Sequence, residues 1–387
     1  MKKLILLLVL AILSWYLFDK YGYLLNSAKN FPKSSTVDTN PAVFDKVVTS
    51  PAELSYLKIE PGYEIGYFAT DVPGARSLAI GDNGVVYVGT RSQGVVYALV
   101  DEDQDGMIDH RYVVASGLSS PNGIVYKDNT LYVAEIHRII KFEDITQNYA
   151  NKPNYSLVYD NLPKDAHHGW RYMALGPDDK LYLGIGAPCN TCEVSDPYGS
   201  IARLSIDGSN FEIVARGIRN TVGFDWDPID DTLWFSENGR DELGEDVPGD
   251  ELNKVSGTIT HFGFPYCHGG TILDPKFGKD HKCSDYTAPA VVLDPHVAAL
   301  GIKFVDNKIL IAEHGSWNRR IPIGYRVMQV DIKDGVASNY RPFITGWLDS
   351  KNNALGRPVD ISVTTNGSIL ISDDLKGKIY KITKLSN

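Results

Sequence analysis

One pattern of apolar and polar positions recurs along the chain. A turn rich in Gly, Asp or Asn leads into a short apolar strand that ends on a small residue, and a further strand often follows. The copies are Val85-Val86-Tyr87-Val88-Gly89, Leu131-Tyr132-Val133-Ala134-Glu135, Leu181-Tyr182-Leu183-Gly184, Leu233-Trp234-Phe235-Ser236-Glu237, Ile309-Leu310-Ile311-Ala312-Glu313 and Ile369-Leu370-Ile371-Ser372-Asp373. The equivalent residues Tyr87, Tyr132, Tyr182, Trp234, Leu310 and Leu370 recur at a spacing near fifty. Strand signals at that period predict an all-β, six-bladed β-propeller of four-stranded antiparallel blades. A lone blade leaves its faces and its edge exposed, so blades stack and the ring closes. The apolar stretch Tyr63 to Ala69 precedes the first copy. It is expected to join the last blade and lock the ring. The long gap between the fourth and fifth copies predicts an insertion at about 257–295 within a propeller of residues 62–387.

The N-terminus reads as an address. Lys2 and Lys3 precede an apolar run from Leu4 to Phe18, the form of a secretory signal. No clear small-residue cleavage pattern follows, so residues 1–28 are expected to be a signal peptide or an N-terminal membrane anchor. Residues 29–61, rich in Ser, Thr, Pro and Asn, follow as a tether. The expected location is outside the cytoplasm, periplasmic or held at the outer face of the cytoplasmic membrane.

Composition narrows the class. The chain is 43% hydrophobic, and it carries 35 Gly and 22 Tyr, which suits a folded, turn-rich β protein. A net charge of −10 repels a phosphate backbone and argues against nucleic acid as a partner. The four cysteines fit an exported chain, with Cys189–Cys192 and Cys267–Cys283 as two local disulfides. A zinc site beside His268 is the alternative.

Two sets of polar residues repeat with the blades. Glu135, Glu237, Glu313, Asp373 and Asp374 follow the second strand, and Arg76, Arg219 and Arg357 precede the first. They are expected either to decorate turns or to converge on one rim. His167-His168 opens the third copy, and Arg219-Asn220 the fourth, a cation and an amide suited to an anionic ligand. Gly239-Arg240-Asp241-Glu242 offers carbonyl and carboxylate oxygens of the kind calcium takes. The loop Asp101 to Asp109 has the D-x-D-x-D-G order of a calcium loop, with Asp101, Asp103, Asp105 and Asp109 as ligands. It lacks the acid at the twelfth position, where Tyr112 stands. An ion there is expected to be structural.

The stretches His167-His168-Gly169-Trp170, Arg219-Asn220-Thr221-Val222-Gly223, Glu237-Asn238-Gly239-Arg240-Asp241, Phe262-Gly263-Phe264-Pro265-Tyr266-Cys267, Ala312-Glu313-His314-Gly315-Ser316-Trp317-Asn318-Arg319 and Gly356-Arg357-Pro358-Val359-Asp360 resemble the glucose/sorbosone dehydrogenase family, nearest its sorbosone dehydrogenase-like branch. The resemblance implies a propeller holding pyrroloquinoline quinone (PQQ) and Ca2+. It implies oxidation of an aldose or sorbosone-like sugar, with hydride passing to the quinone and electrons onward to a respiratory acceptor, a quinone or a cytochrome. His168 matches the general base, and Arg219 stabilises charge on the reduced cofactor. Arg219, Asn220 and Arg357 would hold PQQ, and the main-chain carbonyls of Gly239 and Arg240 would ligate calcium. Three positions depart from the family. Ala187 replaces an Asp that orients the base, Val222 replaces an amide, and the fifth blade lacks a gripping Lys, for which His314 or Arg319 would substitute.

Two rivals stand beside this reading. A calcium-dependent sugar lactonase shares the six-bladed fold, and Pro121-Asn122-Gly123 resembles one of its turns; it would need a side-chain cage of Glu and Asn on the axis. A non-catalytic exported propeller serving as a binding module is the second, since fold alone does not guarantee activity.

Overall fold

The computed structural model describes residues 53–257 and 260–385, with short pieces at 41–43 and at 10, 11, 13 and 14. Most of the expected signal or anchor and most of the tether therefore lie outside the described residues. Six antiparallel sheets follow one another along the chain. Blade 1 is built from Leu78–Ile80, Val86–Val88, Val95–Val100 and His110–Ser116, and blade 2 from Gly123–Lys127, Thr130–Ala134, Ile139–Phe142 and Ser156–Tyr159. Blade 3 holds Met173–Leu175, Lys180–Ile185, Ser200–Ser205 and Glu212–Arg216; blade 4 holds Phe224–Trp226, Leu233–Glu237, Gly249–Lys254 and Val291–Pro295. Blade 5 holds Ala299–Val305, Lys308–Glu313, Arg326–Lys333 and Val336–Thr345. Blade 6 begins with Pro358–Val363, Ile369–Asp373 and Lys378–Lys384. Its fourth strand is Tyr63–Ala69, paired antiparallel to Lys378–Lys384 with Ile65 opposite Ile382. The ring is closed by strands from the two ends of the propeller, as the orphan strand predicts.

Each repeated motif is the second strand of its blade, and its period of two explains the core. Val86 and Val88 pack toward Leu370 and Ile379 of blade 6, while Val85 and Tyr87 pack toward Leu131 and Val133 of blade 2. Alternate residues thus bury against opposite neighbours. The same division runs around the ring, each hydrophobic cluster joining neighbouring blades, and the one between blades 3 and 4 also takes in Leu300 of blade 5 and Val359 of blade 6. The first strands of adjacent blades approach one another and line the axis.

Two boundaries differ from those read in the sequence. Leu54 and Leu57 are buried in the cluster shared by blades 5 and 6, and Lys58–Ile59 extends blade 5 beside Ile344 and Thr345. The packed body therefore begins before Gly62, because these apolar residues cover Trp347 and Phe343. The insertion is also shorter, since Val291–Pro295 is the outer strand of blade 4. What remains carries the hairpin Cys267–His268 with Ile272–Leu273 and the strand Thr260–His261, which lies parallel to Ala215 and Arg216. Both cysteine pairs are disulfides, Cys189–Cys192 and Cys267–Cys283, which leaves no thiolate for zinc.

Candidate active site

In an antiparallel blade the entry to the first strand and the exit from the second lie at the same end. Loops from both places meet there around a cavity of about 350 Å³. Its wall includes His168, Arg219, Asn220, Gly239, His314 and Arg357, so six residues singled out in the sequence converge. Arg76 joins them, and so do four residues that sequence reasoning assigned no role: Arg91, His296, Trp317 and Asn318.

The repeated acids do a different job from ligand binding. Glu135 accepts the N–H of Ser119 at 2.6 Å, Glu237 that of Arg219 at 2.6 Å, and Asp373 that of Arg357 at 2.9 Å. In blades 2, 4 and 6 a buried carboxylate at the end of the second strand thus pins the loop entering the first. Arg219 and Arg357 are held at the rim by this bond, whereas the Arg76 N–H goes to the Gly89 carbonyl. Glu313 instead pairs with Arg326 and Tyr340.

His168 is buried, whereas His167 beside it is exposed. The His168 backbone has φ +49, in the left-handed region that few non-glycine residues occupy. Gly186 permits this conformation, because a Cβ there would stand 2.5 Å from the His168 Cβ. Nδ1 of His168 lies 2.9 Å from the carbonyl oxygen of Ala187. That bond fixes Nδ1–H as the donor and leaves Nε2 as the accepting nitrogen. The orienting role that the family gives to an Asp side chain falls here to the backbone of the residue in its place. Burial, with Arg219 and His167 adding to it, pushes the imidazole down to about 2. This is far below an unperturbed imidazole, because the ring is buried beside cationic groups. Accordingly, 15N shifts of the ligand-free protein should show His168 unprotonated at pH 5, where an unperturbed imidazole is charged. A titration midpoint near 6.5 would contradict this geometry.

Across the cavity, Asp374 bridges Arg76 Nη1 at 2.7 Å and His314 Nε2 at 2.8 Å. Burial opposes ionisation of Asp374, but attraction and hydrogen bonding from His314, together with Arg76 and Arg357, hold it well below the usual carboxylate range. Burial and Arg357 push His314 down to about 4. The pair is thus a neutral imidazole donating Nε2–H to a carboxylate. Arg357 donates Nε–H to the carbonyl of His314 and Nη2–H to that of Gly315. Arg91 stacks over Trp170, 3.7 Å from the ring centroid, and has no ion pair among the described residues. Its side chain is exposed at the rim, where desolvation by the cavity wall and the nearby Arg76 shift its guanidinium downward.

Several sequence candidates stand elsewhere. Arg319 reaches Asp246 and the Glu245 carbonyl instead of the cavity. The Arg240 side chain turns into the insertion and pairs with Asp274 at 2.6 Å, beside His268. The carboxylates of Asp101, Asp103 and Asp109 cluster within 4.8 Å on the loop between the last two strands of blade 1, away from the cavity. Asp105 is not of that trio; its Oδ1 accepts the Met107 N–H. At the cavity itself no cage of three acidic or imidazole ligands exists among the described residues. Asp241 is engaged by Arg219 and Asn318, and Asp250 by the N–H groups of Gly239 and Ala299.

The donor set fits PQQ: four guanidinium groups converge on one cavity, and Arg91 has no ion pair among the described residues. Calcium fits only through main-chain oxygens. No hydrogen bond to the Gly239 or Arg240 carbonyl occurs among the described residues.

The chain matches the TrAA12-like family over residues 57–385. An uncharacterized protein of Borreliella burgdorferi is 33% identical over 351 residues, covering 85% of this chain and 91% of that protein. The calcium structure of the Trichoderma reesei carbohydrate-active enzyme of family AA12 superposes with a TM-score of 0.76 at 19% identity, over 85% of this chain and 97% of that one. The holo form of the pyranose dehydrogenase PQQ domain from Coprinopsis cinerea gives 0.70 at 18% identity, over 84% and 97%. At such identity the two structures establish the shared propeller, and the family match joins it to the motifs around the cavity. The chain belongs to the TrAA12-like family.

Proposed function

We propose that the protein is a PQQ- and calcium-dependent dehydrogenase that oxidises an aldose or a sorbosone-like sugar. One observation carries this: a buried imidazole with an accepting Nε2 stands on the same cavity wall as four arginines. PQQ supplies a two-electron acceptor when bound, and calcium a Lewis acid. Arg219, Arg357 and Asn220 would hold the cofactor's carboxylates, Arg91 adding a further cation, while His314 would substitute for the missing Lys. Charge-assisted hydrogen bonds from guanidinium to carboxylate are the strong ones, and they strengthen where water is excluded. His168 Nε2 would take the proton of the sugar hydroxyl at the carbon being oxidised. Its low basicity in the ligand-free cavity keeps it unprotonated and ready to act as a base, and a bound polyanion would raise that basicity.

The likeness in fold to the holo form of the pyranose dehydrogenase PQQ domain from Coprinopsis cinerea is in keeping with that cofactor. The lactonase reading loses ground because the cavity offers arginines where a side-chain calcium cage would be needed. The Asp101–Asp109 loop is read as a structural calcium loop with no part in the chemistry. Export and delivery of electrons to a respiratory quinone or cytochrome belong to the same proposal. They are supported by Lys2, Lys3 and the apolar run after them, and by two disulfides of the kind that persist in oxidising compartments.

The deciding experiment is titration of the purified protein with PQQ in the presence of calcium, followed by absorbance, then dye reduction with a panel of aldoses. Saturable binding and sugar-dependent reduction are expected. Absence of both would remove the proposal.

A further inference from the structure

The disulfide Cys189–Cys192 closes a ring around just two other residues, Asn190 and Thr191. Asn190 is the hub of the contacts on the cavity wall beside it. Its carbonyl accepts Arg219 Nε–H at 2.9 Å, and its Oδ1 accepts Arg219 Nη2–H at 3.0 Å and the Asp241 N–H at 2.9 Å. Its Nδ2 donates to the Asp241 carbonyl at 3.1 Å. Arg219 gives a further Nη2–H to Asp241 Oδ2 at 2.9 Å and an Nη1–H to the Asn238 carbonyl at 3.3 Å. A guanidinium has five N–H groups in a rigid fork. Four are committed, and one on Nη1 is left for a ligand.

We propose that Asn190, held by its disulfide ring, is a positioning residue for cofactor recognition. It fixes the Arg219 fork and the Gly239–Asp241 loop in the geometry that meets an anionic group. The inference rests on the function proposed above. The physical need is plain. Residues 188–193 contain no helix or strand, and an unconstrained asparagine there would lose rotamer and backbone freedom each time it clamped the arginine. A short covalent ring removes much of that freedom before any ligand arrives. The same segment orients the base. Ala187 donates its N–H to the Arg219 carbonyl at 2.8 Å and accepts from His168 Nδ1. Residues 187–190 therefore set the imidazole and the guanidinium together.

The test uses the full chain and two readouts. Hydrogen exchange follows the peptide containing the Asp241 amide in ligand-free protein, and a PQQ titration with calcium follows affinity. Asn190→Ala should speed exchange at Asp241 and raise the PQQ dissociation constant by about tenfold or more, the scale of a lost hydrogen bond to a charged group. Asn190→Asp keeps the Oδ1 acceptor of the Asp241 N–H, so protection at Asp241 should return. PQQ should still bind weakly, because a second carboxylate then neutralises Arg219. Cys189→Ser combined with Cys192→Ser leaves Asn190 in place and should lie between wild type and Asn190→Ala in both readouts; it also serves if the alanine variant fails to fold. Wild-type exchange in the alanine variant, or equal acceleration in the alanine and aspartate variants, overturns the proposal. Wild-type PQQ affinity in the alanine variant does so too. If the wild-type protein binds no PQQ, the function proposal is the one that fails, and the exchange contrast still decides what Asn190 positions.

Discussion

Replacing His168 by glutamine is expected to lower kcat by about two to four orders of magnitude while leaving the PQQ dissociation constant within about twofold. Glutamine keeps a polar side chain of similar reach and preserves a donor toward the Ala187 carbonyl, but it cannot accept a proton at neutral pH. The loss therefore isolates proton transfer from shape. His167 is the built-in control, since its ring lies 4.1 Å from that of His168 yet is exposed. His167→Gln should cost little. If the His167 variant were the dead one, the exposed imidazole would be the base and the Ala187 carbonyl would orient a bystander. Steady-state rates with a dye acceptor, beside a PQQ titration of each variant, separate these outcomes.

The architecture was legible because its signals are local. Period-two alternation, turn residues before each second strand and a spacing near fifty require no knowledge of distant contacts, and the unpaired stretch Tyr63–Ala69 had one vacant edge to fill. Arg76, Arg219 and Arg357 were legible for the same reason, each preceding a first strand. Arg91 follows a second strand and belongs to no repeated set, so nothing in the sequence separates it from an exposed loop cation. Side-chain direction in loops was equally hidden: Arg319 and Arg240 stand near the motifs but face Asp246 and Asp274. The orienting group of His168 is a backbone carbonyl, which carries no residue-type signature at all. The recurring acids had a real pattern and an ambiguous meaning. Only coordinates distinguish a carboxylate aimed at a ligand from one accepting a loop N–H, as Glu237 does from Arg219.

Arg91→Met offers the cleanest separation of binding from folding. Arg91 is exposed at the cavity rim, and in the ligand-free protein its charge bears the cost of repulsion from Arg76 and Arg357. Its stacking on Trp170 recovers part of that cost. Methionine fills similar space over the indole without a charge, so the melting temperature of the ligand-free variant should be unchanged or higher. The PQQ dissociation constant should rise by about three- to tenfold, the range for losing a charge-assisted contact at a solvent-exposed rim. Added salt should narrow the difference, since an exposed charge is screened. Stability up and affinity down is the signature of a residue kept for its ligand. A variant that loses stability and retains wild-type affinity would instead make Arg91 a structural partner of Trp170, and the excess positive charge of the cavity would need another explanation.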